Sequence, residues 1–310
     1  MKLTANSVLF KVIYVLFSVL ILSACSGGGE EDSTLEIPDS VKNAPTQKMK
    51  QVGQAVIDDL VQNVSSPIEM AALIKKAGVP FSKDYLSDPD LVDKYNSTFD
   101  KALNLGVYGA DLGYLNMYNK TSLIINHITT IKKLTEALKI GQFFDFSTLK
   151  RLASNNENLD SLMYISTSSF NKMDRYLRES NRSNASTLMV AGVWIEGLFL
   201  ATQVADKVKT KEINERIAEQ KISLNDLIIV LKVYNNEPGF GELIGYFEEI
   251  KSAFDPIKIA VEMGEPEMIE NDKGELIIKQ NDKQTVTIPE GQMEKIIEVT
   301  ARVRNLVIKK

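Results

Sequence analysis

One cysteine, one histidine and one tryptophan stand in 310 residues, and each scarcity closes a class of chemistry. A lone thiol cannot form an intrachain disulfide, and a lone imidazole cannot supply a histidine cluster for a transition metal or an H-E-x-x-H site. Serine–histidine catalysis would have to recruit His127, which sits in helical register with Leu123, Ile131 and Leu134 and reads as a packed histidine. The chain has no G-x-S-x-G elbow and no Walker-type phosphate loop, and GFGELIG at 239–245 lacks the lysine such a loop needs. Basic blocks are missing too. With 36 Lys and Arg against 41 Asp and Glu the formal charge is -5, so the chain carries no electrostatic footprint for nucleic acid. No metal, no cofactor and no catalytic residue is expected from these motifs.

What is present begins at the amino terminus. Lys2 and Lys11 precede an apolar run at 12–22, followed by the small residues Ser23 and Ala24, the three parts of a secretory signal over residues 1–24. The run is too short for a membrane span of about 20 residues. Leu22-Ser23-Ala24-Cys25 resembles a bacterial lipobox. That resemblance implies a diacylglycerol on the Cys25 sulfur, cleavage before Cys25 and acylation, palmitate-like, of the new amino terminus. Each buried methylene contributes about 0.8 kcal/mol, so two or more chains anchor durably.

Residues 25–47 read as a flexible acidic tether: Ser26 and Gly27–Gly29, then Glu30, Glu31 and Asp32, with Pro38 and Pro45 punctuating the rest. The acidic cluster resembles the surface-export signal of Bacteroidota lipoproteins, and Ser26 resembles outer-membrane sorting. The expected address is an outer-membrane lipoprotein facing the periplasm or the cell surface.

Beyond the tether, 44% apolar residues recur with helical periodicity, and the spacing predicts a mainly α protein: a multi-helix bundle over 48–258. Met49, Val52, Val56, Leu60 and Val64 mark a first helix, and Ser66, Pro67 and Gly78 cap and stop a second. A long helix is expected over 88–118 and another over 119–141, ending at Gly141. Ser154 and Glu157 make a capping-box pattern before a helix carrying Leu159, Leu162, Met163, Phe170, Met173 and Leu177. Further helices follow from about Asn184 to Val208, from Lys211 with a boundary at Ser223, and from Phe240 to Phe254. Residues 259–310 change character. Short apolar runs between Asp-Lys-Gly and Asn-Asp-Lys turns predict a small β-hairpin or three-stranded sheet. A final helix, with Met293, Ile296, Ile297, Val299, Val303 and Leu306 as its buried side, ties that appendage to the bundle.

Two helices are unusual. Gly106, Gly109, Ala110 and Gly113 form a stripe of small residues, which serves either the close approach of a neighbouring helix or room for a ligand beside Asp111, Tyr114 and Tyr118. The run TLMVAGVWIEGLFLATQVA at 187–205 is apolar all round except for Glu196, which suits a central core helix better than a membrane span. A buried Glu196 must find a hydrogen-bonding partner, hold a proton or lie at a cleft. Tyr108, Asp111, Tyr114, Trp194 and Glu196 are therefore the candidate ligand or polar-core site.

GVYGADLGY, SNNENLDSL, GVWIEGLFLATQ and EKIIEVTARVRNLV together resemble a group of Bacteroidota lipoproteins without a characterised activity. The resemblance implies a shared fold and address and supplies no catalytic residues. The expected function is that of a lipid-anchored, noncatalytic envelope protein that binds a partner protein or a small ligand. Two alternatives stand beside it: a hydrolase of an envelope or environmental polymer using Asp111 and Glu196, and a structural envelope subunit without a ligand.

Overall fold

A computed structural model describes residues 74–154, 159–270, 276–279 and 283–308. The contacts divide the chain after Pro45, and every described residue belongs to the second unit, Thr46–Lys310. The signal sequence, Cys25, the tether and the helix marked by Met49 to Val64 lie outside the described residues, as do Ser66 and Pro67.

The described chain is mainly α, as the periodicity predicts. Its helices are α1 (Thr98–Met117), α2 (Thr121–Ala137), α3 (Phe146–Ala153), α4 (Leu159–Glu179), α5 (Ser183–Val208), α6 (Lys211–Lys232), α7 (Phe240–Phe254) and α8 (Gln292–Ile308). Between α7 and α8 lie β1 (Lys258–Glu262), β2 (Glu267–Glu270), β3 (Leu276–Lys279) and β4 (Lys283–Thr287).

The centre of the bundle is the crossing of α1 and α5, the most extensive contact between any two elements. Glycine makes it. A Cβ on Gly106 would stand 2.0 Å from the Met189 carbonyl oxygen, and one on Gly192 would stand 1.9 Å from that of Leu103. The small-residue stripe is thus a packing device at Gly106, and at Gly109 too, where the Phe170 ring fills the space a Cβ would take. Gly113 has nothing within 4 Å of that position. Helix α5 is the one described helix long and apolar enough to cross a membrane, and 83% of its most apolar window is buried inside the protein. Around this pair α2, α3 and α4 pack in succession, with α2 and α4 both on α1, while α6, α7 and α8 pack together with α6 and α8 on α5.

Several boundaries differ from expectation for identifiable reasons. The helix expected over 88–118 is a 3-10 turn, Pro89–Lys94, followed by α1, because Ser97 takes extended backbone and caps the new helix. Its hydroxyl accepts the Asp100 amide at 2.9 Å and donates to the Asp100 carboxylate at 2.6 Å. Helix α2 ends before Gly141: Lys139 adopts φ 58° and the Ile140 amide closes on the Thr135 carbonyl at 2.9 Å, a glycine-type stop without glycine. Helix α3, unanticipated, is only eight residues long and is capped by Asp145. The Thr148 amide bonded to that carboxylate holds Asp145 below its usual range. Ser154 terminates α3, its hydroxyl donating to the Lys150 carbonyl at 2.9 Å, so it does not read as an N-cap; Glu157 lies outside the described residues. Helix α6 runs through Ser223 without a break. In α8 the buried face holds Met293, Ile296, Thr300, Val303, Arg304 and Val307, whereas Leu306 is exposed.

The strands form two antiparallel ladders of two strands each, β1 with β4 and β2 with β3, nested within one excursion of the chain. Ile259, Val286 and Ile288 settle the first ladder against the core, and the Gln284 side-chain amide donates to Glu219 at 2.9 Å. Val261, Met263, Met268 and Leu276 are exposed.

Candidate functional site

Tyr108, Asp111, Tyr114 and Tyr118 recur at spacings of three and four along α1 and so share one face. That face is occupied by the chain itself. Residues 79–88, a strap whose one regular element is the 3-10 turn Lys83–Tyr85, cross it, and four side chains bond its backbone. The Tyr118 hydroxyl donates to the Val79 carbonyl at 2.6 Å. The Ser82 amide donates to the Tyr114 hydroxyl at 3.1 Å, and the Ser87 amide to Asp111 Oδ2 at 3.0 Å. The Tyr108 hydroxyl donates to the Asp88 carbonyl at 2.7 Å. Phe81 stacks on Tyr114, with ring centroids 5.6 Å apart, and also meets Tyr118. Burial pushes the Tyr114 hydroxyl up to about 12 and raises Tyr108 as well, so both stay neutral and able to donate.

Beneath the strap the two acids singled out in the sequence meet. Glu196 and Asp111 are both 0% exposed, and their carboxyl groups lie within hydrogen-bonding reach of each other. Arg304 enters from α8, its Nε and one terminal nitrogen donating to the two Glu196 oxygens at 2.8 and 2.7 Å. The same terminal nitrogen reaches Ser87 Oγ at 2.8 Å and the Tyr85 carbonyl at 3.2 Å, so one guanidinium ties α8 to α5 and to the strap. Its face lies 4.5 Å from the centroid of Phe199. Burial opposes the Arg304 charge, but the adjacent Glu196 more than offsets it and the net shift is upward. Burial, reinforced by the Asp111 charge, pushes Glu196 up to about 8.

His127 completes the cluster from α2. It is 1% exposed, its Nδ1 lies 3.0 Å from the Leu123 carbonyl, and its Nε2 lies 3.6 Å from Asp111 Oδ2. A carbonyl only accepts, so Nδ1 carries the hydrogen. The packed histidine of the sequence is also a member of the polar cluster. Trp194 does not join it: on the far side of α5 from Glu196, it packs on Phe247 of α7 with centroids 5.6 Å apart.

Outside the strap is a cleft of about 810 Å³, open to solvent. Its walls are the strap and the following 3-10 turn on one side, with Asp84, Ser87, Asp88, Asp90 and Asp93, and α2 on the other, with Asn126, His127, Thr129, Thr130 and Lys133. Lys133 is held by Asp93 at 3.2 Å. His127 and Ser87 belong both to this cleft and to the sealed cluster behind it.

Tyr108, Asp111, Tyr114 and Glu196 are thus brought together on or beneath one face, and sequence reasoning missed Arg304 and Ser87. A signal for Arg304 was present: position 304 falls in the stripe 293, 296, 300, 303, 307, where a cation demands a buried acid. Among the described residues no three His, Cys, Asp or Glu side chains converge as a metal site. No family model, curated protein or solved structure matches this sequence.

Proposed function

We propose that this protein is a lipid-anchored, noncatalytic envelope protein whose helical domain binds a small polar ligand in the cleft between the strap and α2. The observation that carries this reading is the separation of two places. The acids that a hydrolase would need touch each other at 0% exposure and are engaged by Arg304 and the Ser87 amide, while the open cavity lies on the other side of the strap. Glycoside hydrolysis by two acids requires room for the sugar, with carboxyl groups at least about 5 Å apart. A sealed pair in contact serves cohesion instead. The cleft is lined by hydroxyl, amide and carboxylate groups of the kind that orient hydroxylated or amino-bearing compounds.

Asn126 is exposed on the cleft wall, so Asn126→Trp fills the cavity without touching the core. In a ligand-observed NMR screen of sugars, amino acids and small amines, compounds that bind the wild type are expected to lose at least tenfold in affinity for Asn126→Trp. Equal binding by both proteins, or no binder to the wild type, refutes the cleft as the site.

The anchor rests on Leu22-Ser23-Ala24-Cys25 alone. Cys25→Ala is expected to abolish incorporation of labelled fatty acid and release the protein from membranes; continued labelling contradicts it. Docking of an envelope protein is a second reading, favoured by the exposed Val261, Met263, Met268 and Leu276 on the β excursion.

A further inference from the structure

We propose that Glu196 carries a proton which it donates to Oδ1 of Asp111, and that this proton latches the strap in place, so that its release frees the inner wall of the cleft. The geometry calls for it. Asp111 Oδ2 accepts the Ser87 amide at 3.0 Å, but Oδ1 is buried without a hydrogen-bond partner. The neighbouring group is the Glu196 carboxyl, and two carboxyl oxygens attract only with a proton between them.

The groups around Glu196 favour this balance, because only a proton shared with Glu196 also pairs Asp111 Oδ1. Arg304 comes from α8, Asp111 and Tyr108 from α1, His127 from α2 behind Asp111, and Tyr95 from the turn before α1. Tyr95 is held neutral, its hydroxyl pushed up to about 12 by burial and donating to the Ile308 carbonyl at 3.1 Å. One guanidinium therefore confronts two carboxyl groups in a site closed to water. With a proton on Glu196 the trio is neutral and every oxygen is paired. Without it a second negative charge remains at 0% exposure, a cost far above that of opening a local segment. Asp111 is the shared element: its other oxygen holds Ser87, in a strap fastened by side-chain bonds and by the packing of Val79, Phe81 and Leu86. Movement of Asp111 toward water would release the Ser87 amide and leave Ser87 Oγ on Arg304; Ser87 lines the cleft together with His127. Burial and the Asp111 charge place the release near pH 8, the value up to about which Glu196 is pushed.

As regulation of binding this rests on the cleft being the ligand site; as a property of the strap it does not. The test is amide hydrogen exchange of peptides covering 79–88 at pH 6 to 9.5, corrected for intrinsic rates. The wild type is expected to lose protection by about tenfold per pH unit from pH 6 to about pH 8 and to level off above it, and Glu196→Gln, whose amide donates to Asp111 at every pH, to show no such step. A flat profile in the wild type, or the same step in Glu196→Gln, overturns the latch. Should Glu196→Gln fail to fold, the wild-type infrared difference spectrum between pH 7 and 9.5 decides: loss of one protonated-carboxyl stretch supports the latch, and its absence overturns it. Ligand binding without a pH step removes the latch and leaves the site, whereas a step in a protein that binds nothing leaves the latch and removes the site.

Discussion

Arg304→Met is expected to lower the stability of the domain by about 3–5 kcal/mol at neutral pH, the range for removing one member of a buried, hydrogen-bonded charge set. The side chain is 4% exposed and, among the described residues, is the one full cation paired with Glu196. Methionine can fill its volume, so the loss comes from electrostatics and from four hydrogen bonds to Glu196, Ser87 and Tyr85. The pH dependence separates this from a packing defect. Without the guanidinium the acids must hold uncompensated charge or take up protons, and proton uptake is easier in acid. The destabilisation measured by denaturant titration should therefore shrink as pH falls from 8 to 5. An equal loss at every pH would assign Arg304 a merely steric role.

The sign for the wild type follows from the same group. Unfolded Glu196 titrates near the ordinary 4.5, while folded Glu196 holds its proton to about 8. Its contribution is fully present below about pH 4.5 and is lost as pH rises through about 8.

Gly192→Ala is expected to cost at least as much as the roughly 3 kcal/mol typical of severe overpacking, because the added methyl meets backbone, which cannot rotate away. Its Cβ would lie 1.9 Å from the Leu103 carbonyl oxygen and 3.0 Å from the Val107 amide nitrogen, so α1 and α5 must separate. These two helices carry Asp111 and Glu196, so the substitution should also loosen the polar cluster. Gly113→Ala provides the contrast. The same residue type, seven positions from Gly106 on α1, has nothing within 4 Å, and alanine there should stabilise the helix by about 0.4–1 kcal/mol. Similar effects at the two positions, read by thermal or urea unfolding, would show that the crossing does not depend on glycine.

The contrast between Gly192 and Gly113 also marks what the sequence can and cannot tell. Helices α5 and α7 were legible nearly to the residue, one from its unbroken apolar surface and the other because Gly239, at φ 88°, sits where a chain must turn before a helix. The stripe on α1 announced close packing, but which of its members touches backbone depends on where α5 crosses. Leu306 was expected inward by type and is exposed, whereas Arg304, not named for the buried side, is drawn in by Glu196 on another helix. The face of Asp111, Tyr114 and Tyr118 read either as room for a ligand or as part of a polar core. That its occupant is the protein's own strap was not legible, since residues 79–88 have no periodicity of their own and are held by side chains from far along the chain.

The central claim is that this strap is built into the fold by the polar face of α1 and by Arg304, forming a fixed wall between a sealed cluster and an open cleft. Native-state hydrogen exchange of the Ser82 and Ser87 amides in the wild type at pH 7 tests it most directly. Both donate to buried side chains of α1 although neither lies in an α-helix or a strand. The account predicts that they exchange orders of magnitude more slowly than an exposed loop. Exchange at the rate of free peptide would contradict it.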